Sequence, residues 1–145
     1  MEITLRPAQE EDIQFLLDLR VLTMGEYLEQ DGVPCTEEEN LWRIRYNFED
    51  AKIVEINGLK AGLFNASYVE ELGCWSILWI QLHHQFKNLK IGSYLLRSMI
   101  DKAQQQGRAV CLSVLKSNPA YALYSRFGFK VVEETPQEYE LRLDA

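Results

Sequence analysis

The sequence contains no uninterrupted apolar run approaching the ~18–20 residues of a membrane-spanning helix. Its start, "MEITLRPAQE", also lacks the basic and apolar regions of a signal peptide. We therefore expect a cytoplasmic protein with no membrane partner. Cysteine is scarce as well, because Cys35, Cys74 and Cys111 are an odd number at wide spacing without a CxxC pair. This pattern predicts reduced, mostly buried thiols and argues against a disulfide framework.

The sequence also has fewer basic than acidic residues. The chain has 15 Lys and Arg against 22 Asp and Glu, a net charge of −7. A general nucleic-acid binder needs a basic face to neutralise phosphates, so this balance argues against nucleic acid as a partner. Metal-ligand spacing is missing too, since adjacent strand residues such as His83 and His84 face opposite sides and the cysteines are scattered. We therefore expect no metal.

Hydrophobic spacing and turn residues predict alternating strands and helices in one domain over residues 1–145. Thr36 suits a helix N-cap ahead of three glutamates. Asn57-Gly58 is the dipeptide of a tight type I′ hairpin, and Gly107 is a fitting helix stop. The predicted order is β-α-α-β-β-β-α-β-α-β-β, with strands at 3–7, on both sides of the hairpin turn within 51–68, and at 75–82, 109–115, 129–134 and 139–143, and helices at 10–24, 36–48, 91–106 and 118–128.

The middle of the chain determines the fold class. A strand, a helix and a strand follow one another at 75–82, 91–106 and 109–115, which requires a crossover connection. We therefore expect these two strands to be parallel neighbours. Because the flanking hairpins add antiparallel strands, the sheet is mixed and the fold class is α/β.

The stretch "LHHQFKNLKIGSYLL", residues 82–96, places a polar and basic turn directly before an apolar helical pattern. A helix N-terminus offers free N–H groups and a partial positive charge, which suit a phosphate. Gly92 removes a side chain where a ligand could approach the backbone, and Lys87 and Lys90 could add point charges. The alternative is a solvated basic turn that only aids solubility.

Part of this stretch, "QFKNLKIGSYLL", resembles the acetyl-CoA-binding signature of the GNAT superfamily of N-acetyltransferases, Q/R-x-x-G-x-G/A. Lys87 falls on the Q/R position, Lys90 on the first glycine and Gly92 on the last. Lys90 departs from the pattern with a long side chain. We expect Lys90 to lie in the first helical turn with a negative φ, which tolerates that side chain.

A second segment, "NPAYALYSRFGF" at residues 118–129, resembles the N…A…LY…GF segment of the same family and follows the "CLSVL" strand as it does there. Together the two segments and the element order cover essentially the whole chain. The resemblance implies a GNAT-like mixed, largely antiparallel central sheet with a parallel splayed strand pair and helices on both faces. It also implies acetyl-CoA as cosubstrate.

The resemblance assigns roles to individual residues. The N–H of Leu82, in the splayed strand, is the candidate oxyanion donor, and Tyr124 is the candidate general acid for the departing thiolate. From their positions alone, Asn118 could be only a helix N-cap and Tyr124 only a core aromatic. The coenzyme-binding residues implied are Leu82, Lys87, Asn88, Leu89, Lys90, Ile91, Gly92, Ser93, Asn118 and Tyr124.

No general base is assigned. Many family members carry a carboxylate on the strand before the signature, where this sequence has Leu78, Trp79 and Ile80. Gln81 is polar without being a base, and a relay of waters through it is one route for the proton. The other titratable candidates are Glu26, Tyr27, Glu29, His83 and His84.

The acceptor site in this family is built by the first two helices, their connecting loop and the last hairpin. Here that region is acidic and also holds aromatic residues, so a small cationic amine, a lysine side chain or a protein N-terminus would suit it. The alternative is that the glutamates only complement a helix dipole. The substrate-contact candidates are Glu26, Tyr27 and Trp79, and the acidic region comprises Glu26, Glu29, Asp31, Glu37, Glu38 and Glu39, beside Tyr27 and Trp42.

The implied activity is transfer of an acetyl group to a primary amine by direct attack in a ternary complex. A protonated amine must first lose a proton, and the carbonyl oxygen needs donors as it gains charge. A non-catalytic CoA-binding sensor on the same fold is the main alternative, and an interaction protein on that fold is a third. Homodimers are common in the family, although no residue of the sequence identifies an interface.

Overall fold

A computed structural model of the chain describes residues 2–30 and 36–145, with the backbone alone for residues 24–30 and 87–89. Within these ranges the element order is the predicted one. The elements are β1 (Ile3–Pro7), α1 (Ile13–Gln30), α2 (Glu37–Arg45), β2 (Ala51–Ile56), β3 (Leu59–Val69), β4 (Cys74–Leu82), α3 (Ile91–Gln105), β5 (Ala109–Leu115), α4 (Ala120–Arg126), β6 (Lys130–Glu134) and β7 (Glu138–Leu143).

The strands form one seven-stranded sheet in the order β1-β2-β3-β4-β5-β7-β6. Only β4 and β5 are parallel, and every other neighbouring pair is antiparallel. The prediction of a mixed sheet with one parallel pair is therefore confirmed. None of the helices in the described ranges is long and apolar enough to cross a membrane.

Several local signals act as predicted. Thr36 accepts a hydrogen bond from the N–H of Glu39 at 3.2 Å and so caps α2. Asn57 and Gly58 both have positive φ, 52° and 84°, as a type I′ turn requires. The first helix differs from the prediction, because a 3₁₀ turn at Glu10–Asp12 precedes it and it continues to Gln30 instead of ending near Met24.

The sheet separates two apolar cores, so helices lie on both of its faces. On one face, α3 contributes most of the buried helical side chains, including Ile91 and Leu96, and Tyr124 of α4 joins them. On the other face, Leu16 and Leu19 of α1 and Ile44 of α2 pack against the sheet. The crossover helix α3 thus covers one face of the sheet, and α1 and α2 cover the other.

The cysteines in the described ranges are free. Cys74 is buried and Cys111 half-buried on the neighbouring strand, and their Sγ atoms lie 2.7 Å apart. Burial raises the pKa of the Cys111 thiol to about 12. Reduced thiols at these two positions stay a prediction, and Cys35 lies outside the described residues.

Candidate active site between strands β4 and β5

The parallel strands separate halfway along their length. Their last Cα pair is Ile77 with Leu112, and beyond it residues 78–82 and 113–115 have no partners across the pair. On the other side of β4, Asn65 pairs with Trp79 and Ala66 with Ile77, so Leu78 is an extra, bulged residue. A bulge increases local twist and bends the strand. The bulge therefore accompanies the V-shaped gap that the family resemblance implies.

Peptide groups of β4 face this gap. The N–H of His83 donates to the carbonyl of Ala61 at 2.7 Å, and the next pair along the ladder is Leu82 with Gly62. Because antiparallel pairs alternate between hydrogen-bonded and non-hydrogen-bonded types, the N–H of Leu82 points away from β3. It is therefore directed toward the gap and is available to a ligand there.

A cavity of about 590 Å³ extends from the gap to the face covered by α1 and α2. Its volume lies within the range of roughly 300–1,000 Å³ typical of small-molecule sites. The predicted residues Trp79, Gln81, Asn118 and Tyr124 meet in it. Its remaining lining residues are Arg20, Trp42, Arg43, Tyr46, Leu78, Ile80, Ser113, Val114, Leu115, Gln137 and Glu138.

Tyr124 is held by α4 and is 9% exposed. Its ring packs edge-on against Phe129, with ring centroids 6.0 Å apart. Burial raises the pKa of Tyr124 to about 12, so the hydroxyl is protonated at neutral pH. A protonated hydroxyl lining the cavity can donate a hydrogen bond or a proton to a ligand.

Asn118 serves the local backbone and the cavity together. Its Oδ1 accepts a hydrogen bond from the N–H of Ala120 at 2.9 Å, which satisfies a donor at the start of α4. The side chain is half-buried and lines the cavity. The Oδ1 atom of Asn118 therefore caps α4, as an N-cap residue does. The Nδ2 group at the other end of the amide remains available to a ligand.

The start of α3 lies beside the open end of the gap. A Cβ added to Gly92 would meet only Leu82 Cδ1, at 3.9 Å, so little protein occupies the space in front of this glycine. Ile91 is fully buried and anchors the first turn, whereas Ser93 is half-buried. The free N–H groups of this turn can receive an anion. The side chains of Lys87, Asn88 and Leu89 lie outside the described residues.

The prediction for Lys90 is wrong in its backbone conformation. Lys90 has φ 60° and ψ 24°, the left-handed region, and it precedes the first helical turn. The physical reason is the 3₁₀ turn at His84–Leu89, which ends at Lys90 before α3 begins. The family's glycine at this position fits such a conformation, because residues with a Cβ rarely adopt it.

The cavity contains a carboxylate that we did not predict from the sequence. Glu138 begins β7 opposite Leu115, the last residue of β5, and lines the cavity. Glu138 reaches the cavity because β7 pairs with β5, which lies 23 residues earlier in the chain. In the sequence, only the predicted last hairpin indicates that this residue lies near the site. The two histidines do not line the cavity, and His83 Nδ1 instead accepts from the N–H of Gln85 at 3.3 Å. The residues that the structure describes include no cluster of three possible metal ligands.

The described part of the cavity lining from α1 and α2 is basic. The side chains that these helices contribute to the described cavity lining include Arg20 and Arg43, and no acidic side chain of either helix lines it there. Glu37, Glu38 and Glu39 lie in the first turn of α2, where the helix dipole favours them. The predicted acidic acceptor site is therefore not found among the described residues. The side chains of Glu26, Tyr27 and Glu29, and Asp31 as a whole, lie outside them.

The structure was compared with solved structures of known proteins, and those that it resembles include several acetyltransferases. The structure is similar to an acetyltransferase from Thermus thermophilus (TM-score 0.79, 17% identity, 100% of this chain and 98% of that one). It is also similar to the PaiA N-acetyltransferase from Thermoplasma acidophilum in complex with coenzyme A (0.74, 18%, 100% of both chains) and to Arabidopsis thaliana Naa50 in complex with the bisubstrate analogue CoA-Ac-MVNAL (0.68, 17%, 100% of both chains).

A search of curated proteins finds no match to the sequence. The family comparison does give one, because residues 16–129 match the model of the acetyltransferase (GNAT) family. This match spans most of the chain, and it agrees with the splayed strands and with the cavity between them. The chain therefore belongs to the GNAT family of acetyltransferases.

Proposed function

We propose that the protein transfers an acetyl group from acetyl-CoA to a primary amine by direct attack in a ternary complex. The observation that carries this proposal is the separation of β4 and β5 after Ile77 and Leu112, which leaves the N–H of Leu82 directed toward the gap. Unpaired peptide groups inside a sheet are unusual, because buried backbone donors are almost always satisfied. A bound chain that offers amide groups of its own would satisfy them.

The coenzyme would fill the gap along one side. Its pantetheine arm lies between β4 and β5, where it meets Leu82 and the free end of the Asn118 amide. Its pyrophosphate lies at the start of α3, against the N–H groups of Ile91, Gly92 and Ser93. The turn that we expect to contact the phosphates also includes Lys87, Asn88, Leu89 and Lys90.

The reaction needs four groups from the protein. The amine nitrogen attacks the thioester carbon, and the N–H of Leu82 donates to the carbonyl oxygen as it gains negative charge. The carbon–sulfur bond then breaks, and the Tyr124 hydroxyl gives a proton to the departing thiolate. Before it attacks, the protonated amine loses one proton to a water held by Gln81. Glu138, a carboxylate in the same cavity, receives that proton. The second proton, lost from the nitrogen after attack, restores the Tyr124 hydroxyl through water.

The acceptor enters from the side of α1 and α2, next to Trp79. Relatives of the same fold include the ribosomal-protein-S18-alanine N-acetyltransferase from Escherichia coli and the Naa50 complex with a peptide-derived analogue. Their names support a primary amine as the acceptor class. A cytoplasmic location and a homodimer stay predictions.

The proposal is tested by calorimetric titration with acetyl-CoA and with dephospho-CoA, followed by acetylation of an amine panel detected as released CoA thiol. Micromolar binding with turnover of at least one amine supports the proposal. Binding without turnover of any amine would indicate the CoA-binding sensor instead. Absence of binding would remove both functions.

A further inference from the structure

Arg20 is a buried cation for which the described side chains supply no countercharge. It is 3% exposed, and its Nε donates to Asn40 Oδ1 at 2.8 Å, a neutral amide. No carboxylate of the described residues lies within 4.0 Å of its nitrogens. Burial and the nearby charge of Arg43 lower the pKa of Arg20 to about 10, so the guanidinium is still charged at neutral pH.

Arg43 approaches the same cavity from α2. Its Nε is buried and has no hydrogen-bond partner, and the described residues offer it no ion pair. Three other arginines of the chain pair with carboxylates. Arg6 contacts Asp12, Arg45 contacts Glu10 and Arg142 contacts Asp144, each with a nitrogen–oxygen distance of 2.9 Å. The two arginines in the cavity differ from these three, because no carboxylate of the described residues pairs with either of them.

Burial of an unpaired charge is costly unless hydrogen bonds and a countercharge compensate it. The planar guanidinium matches the two oxygens of a carboxylate or the oxygens of a phosphate, and such pairs are the strong hydrogen bonds of proteins. Two guanidinium groups that face one cavity, one of them with an unpartnered Nε, thus have the chemistry of an oxyanion site.

We propose that the acceptor is a small amine that also carries a carboxylate or phosphate group, bound between Arg20 and Arg43. The inference rests on the proposed function, since it identifies the substrate class of the same site. Glu138, on β7, also lines this cavity, so the amine can bind near a negative charge while the oxyanion binds the arginines. Trp42 and Tyr46, stacked with ring centroids 5.7 Å apart, supply an apolar edge for the remainder of the molecule.

The test uses product-like ligands, so that it does not depend on turnover. The protein is saturated with CoA and titrated by calorimetry with N-acetylated amino acids and with their carboxamides, which differ only in the charge. N-acetyl-O-phosphoethanolamine and N-acetylethanolamine form the matched pair for phosphate. We expect at least one carboxylate or phosphate ligand to bind about tenfold or more tightly than its neutral partner, as for a charge-assisted hydrogen bond.

The variant that links this preference to the site is Arg43→Gln, because its side chain is only half-buried and the change is less disruptive than one at Arg20. It should abolish the preference for the charged ligand while leaving CoA affinity unchanged. Arg45→Gln is the matched control on the same helix, because Arg45 is exposed and pairs with Glu10 outside the cavity. It should retain the full preference.

Three outcomes with these small ligands would overturn the inference. They are equal binding of charged and neutral partners, a preference that persists in Arg43→Gln, and no binding of any oxyanion ligand to a protein that does bind CoA. Selective binding of N-acetylated peptides with an acidic second residue, without binding of the small ligands, would also overturn the small-molecule class. Failure of the proposed function is a separate result, because it appears as absent CoA binding or absent turnover of any amine.

Discussion

Ile77 and Leu112 form the last residue pair between the two parallel strands, and the chain on both sides of the resulting gap then continues for several residues. The bulge at Leu78 comes directly after this pair. Separation of two strands in mid-sheet leaves backbone groups unpaired, which a stable domain normally avoids. The gap is therefore best understood as half of a binding site that a ligand with its own amide groups completes.

Gly62, in β3, allows the backbone of β4 to approach β3 closely near Gln81. A Cβ at this position would lie 2.1 Å from the carbonyl oxygen of Gln81, so β4 would have to shift. We expect Gly62→Ala to lower the free energy of unfolding by about 1–3 kcal/mol, as for an overpacked site. Urea denaturation measures the change. Gly92→Ala is the stability control, because its Cβ would make only an ordinary contact at 3.9 Å, and equal stability of the two variants would contradict the prediction.

Gly92→Val separates coenzyme binding from folding. The space in front of Gly92 is open in the described structure, and valine is somewhat better than glycine in a helix. We therefore expect thermal stability to stay the same or to rise slightly. The branched side chain would nevertheless occupy the position proposed for the pyrophosphate, so affinity for acetyl-CoA should fall by about 100-fold or more, roughly the loss of two charge-assisted hydrogen bonds. Calorimetric affinity equal to that of the unsubstituted protein would remove the proposed placement of the phosphates.

Lys90→Gly should change stability and coenzyme binding in opposite directions. Lys90 has a left-handed backbone with φ 60°, a conformation in which glycine avoids a cost of about 1 kcal/mol. The variant should therefore be more stable by about that amount. If the ammonium meets a phosphate, the same variant should bind acetyl-CoA more weakly, and the difference should shrink as salt is added. Denaturation and titration at two salt concentrations measure both effects. Unchanged binding would mark Lys90 as a solubility residue alone.

Tyr124→Phe tests the proposed proton donor. The substitution keeps the buried ring and its contact with Phe129, so the Kd of acetyl-CoA should change little. Turnover should fall by about 100-fold, the lower end of the contribution of a general acid. Because burial raises the pKa of Tyr124 to about 12, its hydroxyl keeps its proton at lower pH, and its ionisation should not reduce the rate until the pH approaches 12. Steady-state rates across the alkaline range provide the measurement, and equal rates for the two proteins would exclude a required hydroxyl.

The fold can be predicted from short-range signals in the sequence. The part of the candidate site that α1 and α2 contribute cannot. The Asn57-Gly58 turn and the strand–helix–strand pattern act locally, so they predict the hairpin and the parallel pair. Arg20 and Arg43 lie on different helices, and the structure brings α1 and α2 together through the hydrogen bond from Arg20 to Asn40. The helix faces that meet depend on packing against the sheet, which neither helix specifies alone.

Asp12 anchors the first strand to the helix layer, and its substitution tests how much this contributes to stability. Its buried carboxylate binds Arg6 through two bonds of 2.9 and 3.0 Å and Lys60 at 2.8 Å, and these partners hold its pKa well below the usual range. Asp12→Asn should cost about 3 kcal/mol at neutral pH, the lower end for a broken buried ion pair, because both cations are partly exposed.

Since the carboxyl pKa of Asp12 is lower in the folded state than in the unfolded state, its contribution to stability is complete above about pH 4 and is lost as the pH falls further. The difference in stability between the unsubstituted protein and Asp12→Asn should therefore narrow in acid. Urea denaturation at pH 7 and pH 3 measures it. Asp144→Asn is the matched control, because Asp144 pairs with Arg142 at the surface and should contribute little at either pH. If Asp12→Asn lowers the free energy of unfolding by the same amount at both pH values, the loss comes from packing and not from charge.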